Sequence, residues 1–369
     1  MVSKTLSVIV PNYNDGDHIA FSLKAICEQS LAPHELIVID DGSTDNSVSV
    51  ILEVAKEYPF IQLLRNEENR GIVYSANRGI KVASGDYVYI ASANDLVLPG
   101  LFEKSLQLLS KHPEAGFSCS DAVCINIPEN NCVTESRTGW SDSPRYLSPN
   151  EIASIARAGK GLYHPITNTC ILRRDLLPSE GIWDQRVGCY CDWLLHQALL
   201  FRHGCCFIPE PLAALRWTGS SMSHRVNSDI NAYRAIMQEL LAVLASPEYE
   251  DIAEMIVFSR SFKAFQLEAF TPAFTWRALR PHLHNRYAAY YLRHLTIEHF
   301  AFMAKNAQAL PFALKSNLLS KHKGTTKQGF RDRLISCKYY LRNLWDRAFA
   351  HSFHRYDLMR SFLLRQFRG

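Results

Sequence analysis

The chain has 369 residues, 47% of them hydrophobic, enough for one large domain with an appendage or for two modest ones. The net charge of +4 is unremarkable as a total, and no nucleic-acid partner is expected. No run of about eighteen apolar residues occurs, which excludes a bilayer-spanning helix on pattern. The charge is uneven: residues 305–369 carry +11 and the preceding part carries −7. A basic tail on a mildly acidic body suits contact with a membrane surface or a partner protein. The ten cysteines show no paired C-x-x-C spacing. Cys189-x-Cys191 and Cys205-Cys206 are too close together for a zinc site, so reduced, buried thiols in a cytosolic protein are expected. Met1-Val2-Ser3-Lys4 leads straight into a strand, which predicts no signal peptide.

Leu6-Ser7-Val8-Ile9-Val10-Pro11 reads as a buried strand, ended by Pro11 because proline has no N–H for the ladder. Asn12 to Asp15 form a loop. Apolar residues at Ile19, Leu23 and Ile26 then predict a helix over Ile19 to Gln29. Glu35-Leu36-Ile37-Val38-Ile39 is a second continuous strand, closing on Asp40-Asp41. Gly42 and Ser43 break it, and Asp45 or Ser43 caps a helix from Ser47 to Tyr58. The two aspartates therefore stand at the carboxyl end of a buried parallel strand, where open α/β sheets bind ligands. Ile61 to Leu64 is a third strand. A helix over Val73 to Ala83 turns Ala76 and Ile80 inward and stops at Gly85. Tyr87 to Ile90 is the fourth strand and ends in Ser92-Ala93-Asn94-Asp95. Pro99 opens a helix to about Lys111, and Gly116 to Asp121 is a further strand.

This alternation predicts an α/β fold: a Rossmann-like, mostly parallel sheet with helices on both faces. Residues 122–163 are rich in turn residues and read as an excursion. Thr169 to Leu172 is a strand followed by Arg173-Arg174, and a helix runs from near Asp192 to about His203. Phe207 to Leu215 carries Pro209 and Pro211, so it reads as an edge strand or an extended loop. From about Asn227 the pattern is helical to the end. The expected domains are 1–226 and a helical C-terminal region, 227–369.

Three strand ends converge on one rim: Pro11 to Asn14, Asp40-Asp41, and Ser92 to Asp95, with Asp121 expected close by. No G-x-G-x-x-G follows the first strand, which argues against a dinucleotide oxidoreductase, and no P-loop signature occurs. The stretches Val10-Pro11-Asn12-Tyr13-Asn14, Ile39-Asp40-Asp41-Gly42-Ser43-Thr44-Asp45, Asn69-Arg70-Gly71, Ala76-Asn77-Arg78-Gly79, Gly85-Asp86-Tyr87, Asn94-Asp95 and Leu98-Pro99 follow one another in this order. Together they resemble the family 2 glycosyltransferases of the GT-A fold, over about residues 5 to 220.

The resemblance implies a nucleotide-sugar donor, UDP-linked, bound by Pro11, Tyr13, Asp41, Arg70, Asn94 and Arg216. Tyr13 would stack on the base, Asp41 would accept a hydrogen bond from the uracil ring, and Arg216, in Arg216-Trp217-Thr218-Gly219-Ser220-Ser221-Met222-Ser223, would fold over the diphosphate. The family's Asp-x-Asp motif holds a divalent cation, Mg²⁺ or Mn²⁺. This chain has Ser92-Ala93-Asn94 there, leaving Asn94 and Asp95 as the metal ligands, a departure that bears on metal dependence. Trp183 to Trp193 has the family's look around its catalytic base, which matches Asp192. A hydroxyl of a glycan or lipid-linked acceptor in cell-surface polysaccharide synthesis is the expected target, with the basic, aromatic-rich tail suited to the inner face of a membrane. A competing reading, a degenerate member that binds nucleotide sugar or a partner without turnover, rests on Ser92 and Asn94. A nucleotidyltransferase would need a glycine-rich phosphate loop after the first strand, which is absent.

Overall fold

The computed structural model describes residues 4–126, 132–157, 165–178, 183–217, 230–244 and 246–258. Its strands are β1 (Leu6–Asn12), β2 (Glu35–Asp40), β3 (Ile61–Arg65), β4 (Tyr87–Ile90), β5 (Leu96–Val97), β6 (Phe117–Asn126), β7 (Cys132–Ser136), β8 (Arg145–Leu147), β9 (Ile171–Arg173) and β10 (Cys205–Trp217). They form a single sheet ordered β3-β2-β1-β4-β9-β6-β10-β5, with β7 added to β6 and β8 to β10. The first four strands run parallel. The other half is mixed: β9 is antiparallel to β4 and β6, and β10 runs parallel to β6.

The helices are α1 (Ile19–Cys27), α2 (Ser47–Glu57), α3 (Ile72–Val82), α4 (Leu101–Lys111), α5 (Pro149–Arg157), α6 (Cys191–His203), α7 (Ile230–Leu244) and α8 (Glu250–Phe258). Every residue of β1 and β2 is buried, as their unbroken apolar runs require. Strand alternation divides these residues between two cores. Leu6, Val8, Val10, Leu36 and Val38 join Ile19, Leu23, Ile26, Ile51, Val54 and Phe102, so α1, α2 and α4 cover one face. Each such aliphatic side chain contributes roughly 1.5–3 kcal/mol by leaving water. On the other face, Ile9 and Ile39 receive α3. Gly79 sits so close there that a Cβ would come within 2.5 Å of Ile9 Cγ2.

Several expectations shift for physical reasons. Pro11 does not end β1, because it pairs with Ile39 of β2 and Asn12 continues the strand. Ile9 turns its carbonyl toward β4, accepting from Ala91 at 2.9 Å. Two residues on, Pro11 points its nitrogen the same way, past the last β1–β4 pair at Ile9 and Ile90, so no ladder bond is lost. The Pro209–Pro211 stretch is not at an edge, because β10 has β6 on one side and both β8 and β5 on the other. Its prolines fall between the β8 contacts, which end at Phe207, and the β5 contacts, which begin at Ala213, where the β6 register also shifts. The excursion after residue 121 holds the rest of β6, its antiparallel partner β7, then β8 and α5. Asp121 is therefore mid-strand, and its carboxylate takes the Thr138 N–H at 2.8 Å.

The expected domain boundary at 226/227 falls among residues outside those described. Helices α7 and α8 bury Leu240, Val243, Leu244, Ile252 and Ile256. Helix α8 rests on α5 and α6, and Arg202 of α6 pairs with Asp251 at 2.9 Å. The basic C-terminal region, residues 305–369, also lies outside the described residues. Among the described residues no helix is long and apolar enough to cross a membrane.

Candidate active site

Strands β2, β1 and β4 are parallel neighbours, so their carboxyl ends open on the same rim. The first two loops are strapped together by side chains. Asn12, buried at the end of β1, donates through Nδ2 to Asp40 Oδ1 at 3.0 Å and to Ser43 Oγ at 3.2 Å. Asn14 adopts a left-handed φ of 52°, which asparagine tolerates better than most residues. In that pose its Oδ1 accepts from Thr44 N at 2.8 Å, and its own N–H meets Ser43 Oγ at 3.0 Å. The N-cap of α2 is Asn46, without a side-chain cap bond; Asp45 just before it accepts from Ser47 N at 2.9 Å and from Gly16 N at 2.9 Å. Ser43 serves the loop straps instead. Pro11 is buried beneath this loop, while Tyr13 is 44% exposed, an open aromatic face at the rim.

Asp41 is 3% exposed, and its carboxylate is occupied from within the protein. Oδ1 accepts from Asn66 Nδ2 at 2.5 Å and from Arg70 N at 3.0 Å, and Oδ2 accepts from Gly71 N at 2.8 Å. Three donors on one carboxylate form a strong, preorganised tie that fixes the loop leading into α3. Gly71 has φ 86°, a conformation that favours glycine. The Arg70 guanidinium lies 3.7 Å above the Tyr74 ring, so its charge is held at the rim by a cation–π contact.

Of the loop after β4, Asn94 is half-buried and hydrogen-bonds to no described residue, whereas Asp95 is buried. Asp95 Oδ1 accepts from Arg216 N at 2.7 Å, and its Oδ2 accepts from Asn168 Nδ2. Burial raises the Asp95 carboxyl above its ordinary value, against the opposing hydrogen bonds from Arg216 and Asn168. As placed, Asp95 braces the loop to β10 rather than presenting an open ligand. The cation chemistry of the loop is thus reduced to the neutral Asn94 oxygen at the rim, backed by the Asp95 charge. Among the described residues no cluster of three His, Cys, Asp or Glu could hold a metal. A divalent cation held here would have to draw most of its ligands from groups other than these side chains.

Asp192 lies in the first turn of α6, half-buried. Its Oδ2 accepts from Thr167 Oγ1 at 2.6 Å, and its Oδ1 takes the Trp193 N–H at 2.6 Å. Thr167 opens the 3-10 turn Thr167–Thr169. The next residue, Asn168, holds Asp95 through Nδ2 and accepts from Ser92 Oγ through Oδ1 at 3.2 Å. One turn therefore joins Asp192 to the Ser92–Asp95 loop, and through Asp95 to Arg216. The chain approaching α6 is fixed as well. Asn77 Nδ2 donates to Trp183 O at 2.8 Å, and Trp183 N donates back to Asn77 Oδ1 at 3.0 Å.

The sequence-predicted residues fall into two linked groups at this end of the sheet, Asp41 with Arg70 and Asp95 with Arg216 and Asp192, with Tyr13 on the loop beside them. Sequence reasoning missed Thr167, Asn168 and Asn66. Asn66 stands three residues before the Asn69-Arg70-Gly71 stretch and could have been noticed. Thr167 and Asn168 carry no local signal.

Residues 7–178 match the family described as glycosyl transferase family 2. YibD of Escherichia coli K12, an uncharacterized glycosyltransferase, is 43% identical over 98 residues, 27% of this chain and 28% of its own. The minor teichoic acid biosynthesis protein GgaB of Bacillus subtilis 168 is 29% identical over 177 residues, 47% of this chain and 18% of its own. These matches thus span well under two thirds of either relative. Among solved structures, S. aureus TarS 1-349 in complex with UDP-GlcNAc superposes with a TM-score of 0.54 at 18% identity, covering 93% of this chain and 92% of that one. With the rim geometry and these matches together, residues 7–178 form a domain similar to glycosyl transferase family 2, and the chain shares the fold of TarS 1-349.

Proposed function

We propose that this chain moves a sugar from a UDP-linked donor to a hydroxyl of a glycan or lipid-linked acceptor, with inversion at the anomeric carbon. The observation that carries the reading is the single turn that links Asp192 to the loop after β4. It sets a half-buried carboxylate beside the place where a donor diphosphate would lie. TarS, bound to UDP-GlcNAc on the same fold, supports a UDP-linked donor, and the printed role of GgaB in teichoic acid biosynthesis supports a cell-surface polymer as the acceptor class.

In this reading Tyr13 offers its exposed ring to the base. Asp41 acts by fixing the Asn66–Gly71 loop against the uracil edge rather than as a free acceptor. Arg70 and Arg216 set positive charge near the diphosphate, and Asn94 presents its oxygen to a divalent cation. When bound, that cation neutralises charge on the leaving diphosphate. Asp192 takes the proton of the acceptor hydroxyl as the oxygen attacks. A positioned base of this kind contributes about 10²–10⁴-fold. The +11 charge of residues 305–369 suits docking on an anionic membrane face, where lipid-linked acceptors reside.

The test is a screen of UDP-sugars for UDP release by the full chain, with Mn²⁺ and Mg²⁺ as separate arms. Turnover of at least one donor supports the reading. Binding of UDP without turnover of any donor or acceptor supports the degenerate alternative.

A further inference from the structure

The geometry assigns Thr167 a positioning role toward the base and makes the turn Thr167–Thr169 the bracket that sets the base against the donor loop. This rests on the reading of Asp192 given above. The bracket is held firmly. Thr169 donates to Ile166 O through its N–H at 2.8 Å and its hydroxyl at 2.7 Å, and Cys170 N donates to Thr167 O at 2.9 Å. Tyr89 of β4 donates its hydroxyl to Asn168 O at 2.9 Å. Asn168 and Thr169 are buried, and β9, directly after the turn, is stitched between β4 and β6. From this fixed point the Thr167 side chain reaches the base, and the Asn168 side chain reaches Asp95 and Ser92.

The chemistry gives the contact a direction. An ionised carboxylate only accepts, so the proton in the Thr167–Asp192 bond sits on the threonine. Thr167 thus holds Oδ2 and the Trp193 N–H holds Oδ1 at 2.6 Å, so the carboxylate is fixed at both oxygens, each of which keeps lone-pair capacity for the acceptor's proton. In the transfer the acceptor O–H bond breaks and its proton passes to the Asp192 carboxylate. The freed electron pair forms the new bond to the anomeric carbon, and the carbon–oxygen bond to the diphosphate breaks, its pair leaving with UDP. Without the Thr167 hydroxyl the carboxylate is held through the Trp193 N–H alone, and fewer encounters place it correctly on the acceptor. Donor binding, which uses other side chains, is untouched.

The test uses the full chain, reading UDP release from whichever UDP-sugar it turns over fastest, with water as acceptor. Thr167→Val keeps the shape and removes the hydroxyl, and Thr167→Ser keeps the hydroxyl. The expected result for T167V is a kcat about ten- to a hundredfold lower, with donor KM and UDP affinity within about twofold of wild type. T167S stays within about threefold of wild type on all three. If T167V does not fold, Thr167→Ala carries the same test. Wild-type kcat in the hydroxyl-free variant overturns the proposal, as does T167S being as slow as T167V, or a kcat loss matched by an equal loss of UDP affinity. Asp192→Asn separates the two levels: full turnover in D192N sinks the base itself, whereas an inactive D192N beside a fully active T167V sinks the bracket alone.

Discussion

Asn77 and Trp183 clasp each other through a reciprocal pair of hydrogen bonds across 106 residues of chain, side-chain amide to backbone in both directions. The clasp pins the segment before α6 onto α3, so the position of Asp192 depends on a helix far from it in sequence. Asn77→Ala leaves the N–H and carbonyl of the largely buried Trp183 without these partners. A loss of about 1–3 kcal/mol follows, read as a lower urea midpoint, together with slower turnover because the base is less well placed. An unchanged midpoint would show that the clasp carries no weight.

Asn94 is the residue of the β4 loop whose side chain remains open at the rim, and it is neutral. Asn94→Asp supplies an ionised ligand where the chain now has a carbonyl. The half-saturating Mn²⁺ concentration for UDP binding should fall by about tenfold or more, measured by calorimetry across a Mn²⁺ series. No change would place the cation, and with it the diphosphate, elsewhere.

Asp86 ties the start of β1 to the start of β4. Hydrogen bonds from Lys4 Nζ and Thr5 N, each at 2.9 Å, hold its carboxyl down at about 2 from the ordinary 3.8. A depressed carboxyl stabilises the fold when ionised, so its contribution is present above about pH 4 and is lost as pH falls toward about 2. Thermal midpoints of wild type and Asp86→Asn should therefore differ at pH 6 and converge across that window. A gap that stays constant down to pH 2 would contradict the assignment.

The first half of the fold was legible because its signals are local. Continuous runs such as Leu36 to Ile39 can hardly be anything but buried strands, and the aspartates that close them must stand at a rim. The rest was less legible where stability comes from pairing. β7 is polar in sequence and exists because β6 offers it an edge. The prolines of β10 look like edge residues until two separate antiparallel partners leave a gap for them. The same limit applies to the site. Tyr13, Asp41, Arg70 and Asp192 announce themselves through motif and position. Asn168 is an ordinary asparagine whose partners lie 73 and 76 residues away. Sequence shows the charge of Asp95 but not its burial, nor the Arg216 and Asn168 donors that meet its carboxylate.

In the proposed reaction Asp192 removes the acceptor's proton at a rim that holds a UDP-sugar. The most direct test compares wild type and Asp192→Asn for UDP release under saturating donor, with UDP affinity measured on the same samples. Turnover should fall by about 10²–10⁴-fold in D192N while UDP binds within a few-fold of wild type. Undiminished turnover in D192N, or a wild-type chain that does not bind UDP at all, would rule out this role for Asp192.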